Sequence, residues 1–143
     1  MKPGIENKAV IKIIGINLTL FLLLYGLVYI NMAIFRPIFN DTHLAQILLG
    51  SFPSFIAALL ISLCVVNPVL IRQPRSGRLI VYLGSLCIMS VLVLDEFESI
   101  AASMQYDIYD IAGSILGSFL AVLIYEYLNY RQKQKIEINR DKI

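Results

Sequence analysis

IIGINLTLFLLLYGLVYINMAIF, residues Ile13 to Phe35, runs for twenty-three residues without a charge. At about 1.5 Å rise per residue, ~20 apolar residues cross a hydrocarbon core of about 30 Å, so this stretch is long enough to span a bilayer by itself. A helix in water needs a charged or strongly polar face, and this one offers none. The run also exceeds the ~7–15 residues of a signal-peptide core, and no small-x-small cleavage site follows before Arg36. It is therefore expected to stay as a span, even though Lys2, Lys8 and Lys12 precede it.

Reading outward, a second uncharged stretch runs from about Leu44 to Val66. The third, Leu79 to Leu94, and the fourth, Ile111 to Tyr125, have 16 and 15 residues. Such lengths reach only ~24 Å, short of the core thickness, so both must borrow from their flanks. Extension draws Asp95, Glu96 and Glu98 into the end of the third helix, and Asp107 and Asp110 into the start of the fourth. The expected helices cover 13–35, 44–66, 79–98 and 107–127, followed by a tail at 128–143. With 58% hydrophobic residues in 143, the chain has too little polar surface to cover a soluble globule and too much apolar surface for disorder. The fold class that follows is all-α: a polytopic membrane protein, one domain, an antiparallel four-transmembrane-helix bundle.

Orientation comes from the basic residues. Lys2, Lys8 and Lys12, then Arg72, Arg75 and Arg78, then Arg131, Lys133, Lys135, Arg140 and Lys142 make 11 of the 12 on one side, and Arg36 alone remains. That side is expected to be cytoplasmic, with both termini there, and Asp41, His43, Asp95, Glu96, Glu98, Asp107 and Asp110 on the outer side. The net charge of +2 conceals this polarity. Tyr125, Tyr127 and Tyr130 are expected at the cytoplasmic interface, and Phe35, Phe39, Tyr106 and Tyr109 at the outer one. The basic tail is read as topological rather than as a nucleic-acid- or lipid-binding arm, since Glu137 and Asp141 dilute it.

Pro53, beside Gly50, Ser51 and Ser54, is expected to kink the second helix, and Asn67-Pro68 with the Arg72–Arg78 run to end it. Gly113, Gly117 and Ala121 recur every four residues beside Ser114 and Ser118, a small-residue face that lets backbones approach. It makes the fourth helix the expected centre of the bundle. Cys64 and Cys87 both fall inside spans and read as buried thiols. Asn17-Leu-Thr19 and Asn40-Asp-Thr42 match the glycosylation pattern, but one lies within the membrane and the other hugs it.

Outer carboxylates are the chemical signal of the chain, because an acid inside a span costs ~2.5–3.5 kcal/mol on insertion scales. Asp41 with Thr42, and Asp107 with Asp110, stand at helix starts, where capping and the helix dipole give a structural reason for them. Asp95, Glu96 and Glu98 stand at a helix end, where the dipole disfavours them. Glu96 shares a face with Ser85, Met89, Leu92 and Ser99, while Asp107 and Asp110 project above Ser114, Gly117, Ser118 and Ala121. The two sets are expected to meet in one outer vestibule, with Glu96, Asp107, Asp110, Asp41 and His43 as its ligand-binding residues and Asp95 and Glu98 as secondary members. No metal-ligand spacing, Ser-His-Asp set, Walker or Rossmann signature is present, so neither a metal, a cofactor nor catalysis is expected.

The pattern Glu96-x10-Asp107-Ile-x-Asp110-Ile-x3-Ile-Leu-Gly117 resembles the C-terminal half of the VanZ-like family of four-helix bacterial membrane proteins. Asp41-Thr-His43-Leu, followed by Leu49-Gly50, is similar to that family's Asp and His at the start of its second helix, at closer spacing. Met104, Ser99 and Ser114 stand where the family has Arg, Gln and Asn. The resemblance implies a bacterial inner-membrane protein, with one branch of the family linked to glycopeptide (teicoplanin) resistance. Three functions follow as expectations. The first is an envelope-related binding protein holding a cationic or lipid-linked ligand on its outer face. The second is a small cation- or proton-coupled transporter, although the small multidrug exporters carry their essential Glu in helix one and Ile13–Phe35 has no carboxylate. The third is a structural subunit, self-associating or bound to a membrane partner through the fourth helix.

Overall fold

Apolar runs bounded by Pro, Gly and charge produce four long helices. The computed structural model describes residues 3–39, 42–103 and 108–140, with side chains over 7–39, 42, 44–96 and 108–134. Helix α1 (Pro3–Ile30) passes through a π turn at Asn31–Phe35 into the three-residue α2 (Arg36–Ile38). Pro37 lacks an N–H and would crowd the carbonyl four residues before it; the wide turn, with the Arg36 N–H on the Asn31 carbonyl, lets the helix run past it. Helices α3 (His43–Arg72), α4 (Gly77–Ser103) and α5 (Ile108–Arg140) follow, and the described residues contain no strand.

Segments Asn7–Ile38, Leu44–Arg72, Gly77–Glu96 and Ile108–Gln134 are long and apolar enough to cross a membrane. Their outward faces are bare hydrocarbon: Leu22, Leu44, Leu48 and Val91 are each more than 60% exposed (66%, 74%, 67% and 64%). Monomeric soluble proteins do not leave contiguous apolar surface of this extent uncovered. The chain is built as a multi-pass membrane protein.

Helix α3 contacts α1, α4 and α5, so it, rather than the fourth span, is the centre of the bundle. Its largest interface is with α5. A Cβ placed on Gly113 would stand 2.8 Å from the Ser51 carbonyl oxygen, and one on Gly117 would overlap the Phe55 carbonyl oxygen and lie 3.0 Å from the Leu59 nitrogen. The two backbones are in van der Waals contact there, which only glycine permits. Ser114, Ser118 and Ala121 are buried on the same face. Tyr125 continues that stripe one turn on. It is 4% exposed and packs with Val66, Val69 and Val81, whereas Tyr127 and Tyr130 are 60% and 62% exposed.

Two prolines lie inside α3, and each removes the N–H that would bond the carbonyl four residues earlier. For Pro53 that carbonyl is Leu49, and it accepts from Asn31 Nδ2 at 2.8 Å and Arg36 Nε at 3.4 Å; Arg36 Nη2 reaches Gly50 O at 3.3 Å. For Pro68 it is Cys64, which accepts from Asn17 Nδ2 at 3.3 Å. Asn67 Nδ2 donates to Asn17 Oδ1 at 2.8 Å and Ile13 O at 3.3 Å. Side chains of the first long segment, from α1, the π turn and α2, thus replace backbone donors that α3 lacks, as a span without water requires. This corrects the expected end at Asn67-Pro68: α3 continues to Arg72 and stops where Gln73 turns left-handed (φ 47°) with its N–H on Val69 O, before Pro74. At the C-terminus, α5 carries on through the expected tail as far as Arg140.

Candidate functional site

Helix α4 turns one face through the bundle along its length. Ser85 is buried on it, Met89 and Leu92 are half-buried, and Glu96 is half-buried; because α4 runs on to Ser103, Glu96 stands two turns inside the helix and not at the helix end expected of it. Leu92 and Glu96, with Asp95, form one wall of a groove of about 510 Å³. Phe21, Leu24 and Val28 of α1, spaced at helical intervals, form the opposite wall. Pro53 and Ser54 of α3 lie along it, so the carbonyl clamps that seat α1 on α3 also set its width. Ser114 of α5 closes the back: it is fully buried, and its Oγ has no hydrogen-bond partner among the described residues.

The groove is chemically two-sided. Most of its wall is hydrocarbon and aromatic, while two carboxylates and three hydroxyls (Tyr25, Ser54 and Ser114) supply its polarity. Among the described residues no cationic one lines it. A carboxylate beside low-dielectric surface attracts a cation more strongly than the same group in water.

Of the acids singled out from the sequence, Glu96 and Asp95 share this groove. Asp110 is in the first turn of α5, one turn before Ser114, half-buried, with Oδ1 shielded; it suits the positive helix end and does not line the groove. Asp41 and Asp107 lie outside the described residues, as do the side chains of His43 and Glu98. Thr42 is the N-cap residue of α3 but makes no side-chain capping bond, against the capping expected of it. Among the described residues no three His, Cys, Asp or Glu side chains gather closely enough to hold a metal ion. Cys64 and Cys87 are free thiols, the first half-buried and the second exposed on the outer surface of α4.

Sequence reasoning missed the α1 wall, whose only signal is the helical spacing of Phe21, Leu24 and Val28, and it missed the donors Asn31 and Arg36. An Asn inside a span is itself a signal, since its amide must find a partner there. No family model, no curated protein and no solved structure matches the chain.

Proposed function

We propose that this chain is a VanZ-like bacterial inner-membrane protein, an antiparallel four-helix bundle with both ends cytoplasmic, that binds an amphipathic cation at its outer face. Glu96 is the principal counter-ion, assisted by Asp95. Phe21, Leu24 and Val28 take the apolar body of the ligand, and Ser114 offers a buried hydroxyl to its polar end. Asp110, Asp107, Asp41 and His43 are proposed as further ligand-binding residues of the outer face. Such a site holds a lipophilic ammonium or a lipid-linked cationic group and carries out no bond chemistry, which suits an envelope- or resistance-related role.

One observation carries this reading: a half-buried Glu96 lines a mostly apolar groove whose back is closed by the fully buried Ser114. Glu96 lies two turns before the end of α4 at Ser103, beyond the reach of the helix dipole, so its place beside an apolar groove, rather than at a helix end, marks it out. The alternation of the spans is supported by their pairings, Asn17 with Asn67 and Asn31 with Leu49 for α1 and α3, and Arg78 with Glu126 for α4 and α5.

The test is equilibrium dialysis of the full chain, in maltoside micelles, against tetraphenylphosphonium. Wild-type protein should bind it, and Glu96→Gln should weaken binding on the order of tenfold, equivalent to about 1.4 kcal/mol. Ser114→Ala should have a smaller effect. Equal binding by wild type and Glu96→Gln, at equal folded protein, would refute the site.

A further inference from the structure

The end of the bundle opposite the acids has a cavity of its own. The left-handed Gln73 turns the chain out of α3, Pro74 to Ser76 cross over, and Gly77 opens α4. Gln73 Nε2 donates to Gln132 Oε1 of α5 at 2.8 Å, so this turn is tied across to α5 and encloses about 380 Å³. Its floor is apolar, from Val69 and the ring of Tyr125. Its rim carries Arg75, Arg78 and Lys133, and among the described residues no acidic one lines it. Arg78 is held in place by Glu126 at 3.0 Å, whose other oxygen accepts from Tyr82 Oη at 2.8 Å. A guanidinium fixed on one edge still presents its remaining N–H groups.

We infer that this cavity binds a phosphate group. Charges that only fix topology need to lie on one side of the membrane. They need not converge on an enclosed space. Three cations around one cavity, with amide donors from Gln73 and Gln132 and the start of a 27-residue helix beside them, make a set suited to phosphate oxygens. The cavity also lies at span boundaries: one span ends at Arg72, the next begins at Gly77, and the last ends at Gln134. Lipid phosphates stand at that depth, and basic pockets between transmembrane helices recognise anionic headgroups. A phospholipid headgroup and a soluble phosphate ester are the two sources of the same chemistry.

The experiment titrates the full chain in maltoside micelles with dioleoylphosphatidylglycerol, followed by native mass spectrometry, with dioleoylphosphatidylcholine for comparison. Each cation removed should weaken binding roughly fivefold, so Arg75→Gln with Lys133→Gln should lose on the order of twenty-five-fold. Lys8→Gln with Lys12→Gln, the same charge change away from the cavity, should bind like wild type, and Arg75→Lys should retain binding. Equilibrium dialysis against radiolabelled glycerol 3-phosphate separates the sources. Binding with the same dependence on Arg75 and Lys133 assigns the site to a soluble ester, and no binding assigns it to lipid. Undiminished phosphatidylglycerol binding by the Arg75/Lys133 variant, equal loss in the Lys8/Lys12 variant, or phosphatidylcholine binding as tight as phosphatidylglycerol overturns the proposal.

Discussion

Asn31 donates its side-chain amide, at 2.8 Å, to the Leu49 carbonyl that Pro53 leaves without a backbone donor. A buried asparagine on one helix and a proline on the next are therefore a single structural unit. Asn31→Ala should lower stability by ~0.6–1.7 kcal/mol, the range measured for hydrogen bonds between transmembrane helices. In a Pro53→Ala background, where residue 53 regains its N–H, the same substitution should cost less than half as much. A double-mutant cycle read by unfolding in mixed micelles checks this; additive losses would separate the two residues.

The second clamp differs in its balance. Asn17 bonds Asn67 at 2.8 Å and the Pro68-freed Cys64 carbonyl at 3.3 Å. Coupling of Asn17→Leu with Asn67→Leu should therefore exceed its coupling with Pro68→Ala in the same assay. The opposite order would make carbonyl capping the main task of Asn17.

Contact between α3 and α5 backbones sets the third expectation. Gly117→Ala should already destabilise the fold by 1–3 kcal/mol, as overpacking does, because the new methyl meets the Phe55 carbonyl and the Leu59 nitrogen. Leu120→Ala, at a position 37% exposed, should change stability by only a few tenths of a kcal/mol, since moving apolar surface between lipid and helix gains little. Thermal unfolding in detergent compares the two.

Orientation has a direct assay. With Cys64 and Cys87 replaced by Ala, a single cysteine at position 104 should react with a membrane-impermeant maleimide from outside, and one at position 75 should not. Arg36→Gln should leave that pattern unchanged, because the other basic residues dominate topology, while loosening α1 through lost contacts to Leu49 and Gly50. Labelling of position 75 alone would invert the bundle.

Span number was legible because hydrocarbon thickness imposes a length that hydropathy exposes directly. Much of the packing was not. The Gly113–Gly117 stripe is visible as spacing, yet it is equally compatible with α5 at the centre or, as found, with α5 as the partner of a central α3. What decides is the set of α1 amides that meet α3, and Asn31 looks in sequence like any polar interruption. Its meaning appears only beside a carbonyl four residues before a proline on another helix. Likewise Glu96 stood out as an acid next to an apolar run, although α4 carries on past it to Ser103, whereas the α1 wall facing it is made of residues common to every span. Arg36, the one basic residue on the acidic side, is explained by the carbonyls it holds.

The bundle's chief interface joins its second span to its last, and this orders its biogenesis. While the chain is being made, α3 enters the bilayer with its α5-facing surface turned to lipid and two prolines in its backbone. The α1 amides are already there to keep those carbonyls from hydrocarbon, so the first hairpin is self-sufficient before synthesis ends. Completion waits for α5, whose glycine face has no use until it reaches α3. A chain truncated before α5 thus keeps three of the four long helices and an unclaimed surface on α3, the kind of product that membrane quality control can distinguish from the finished protein.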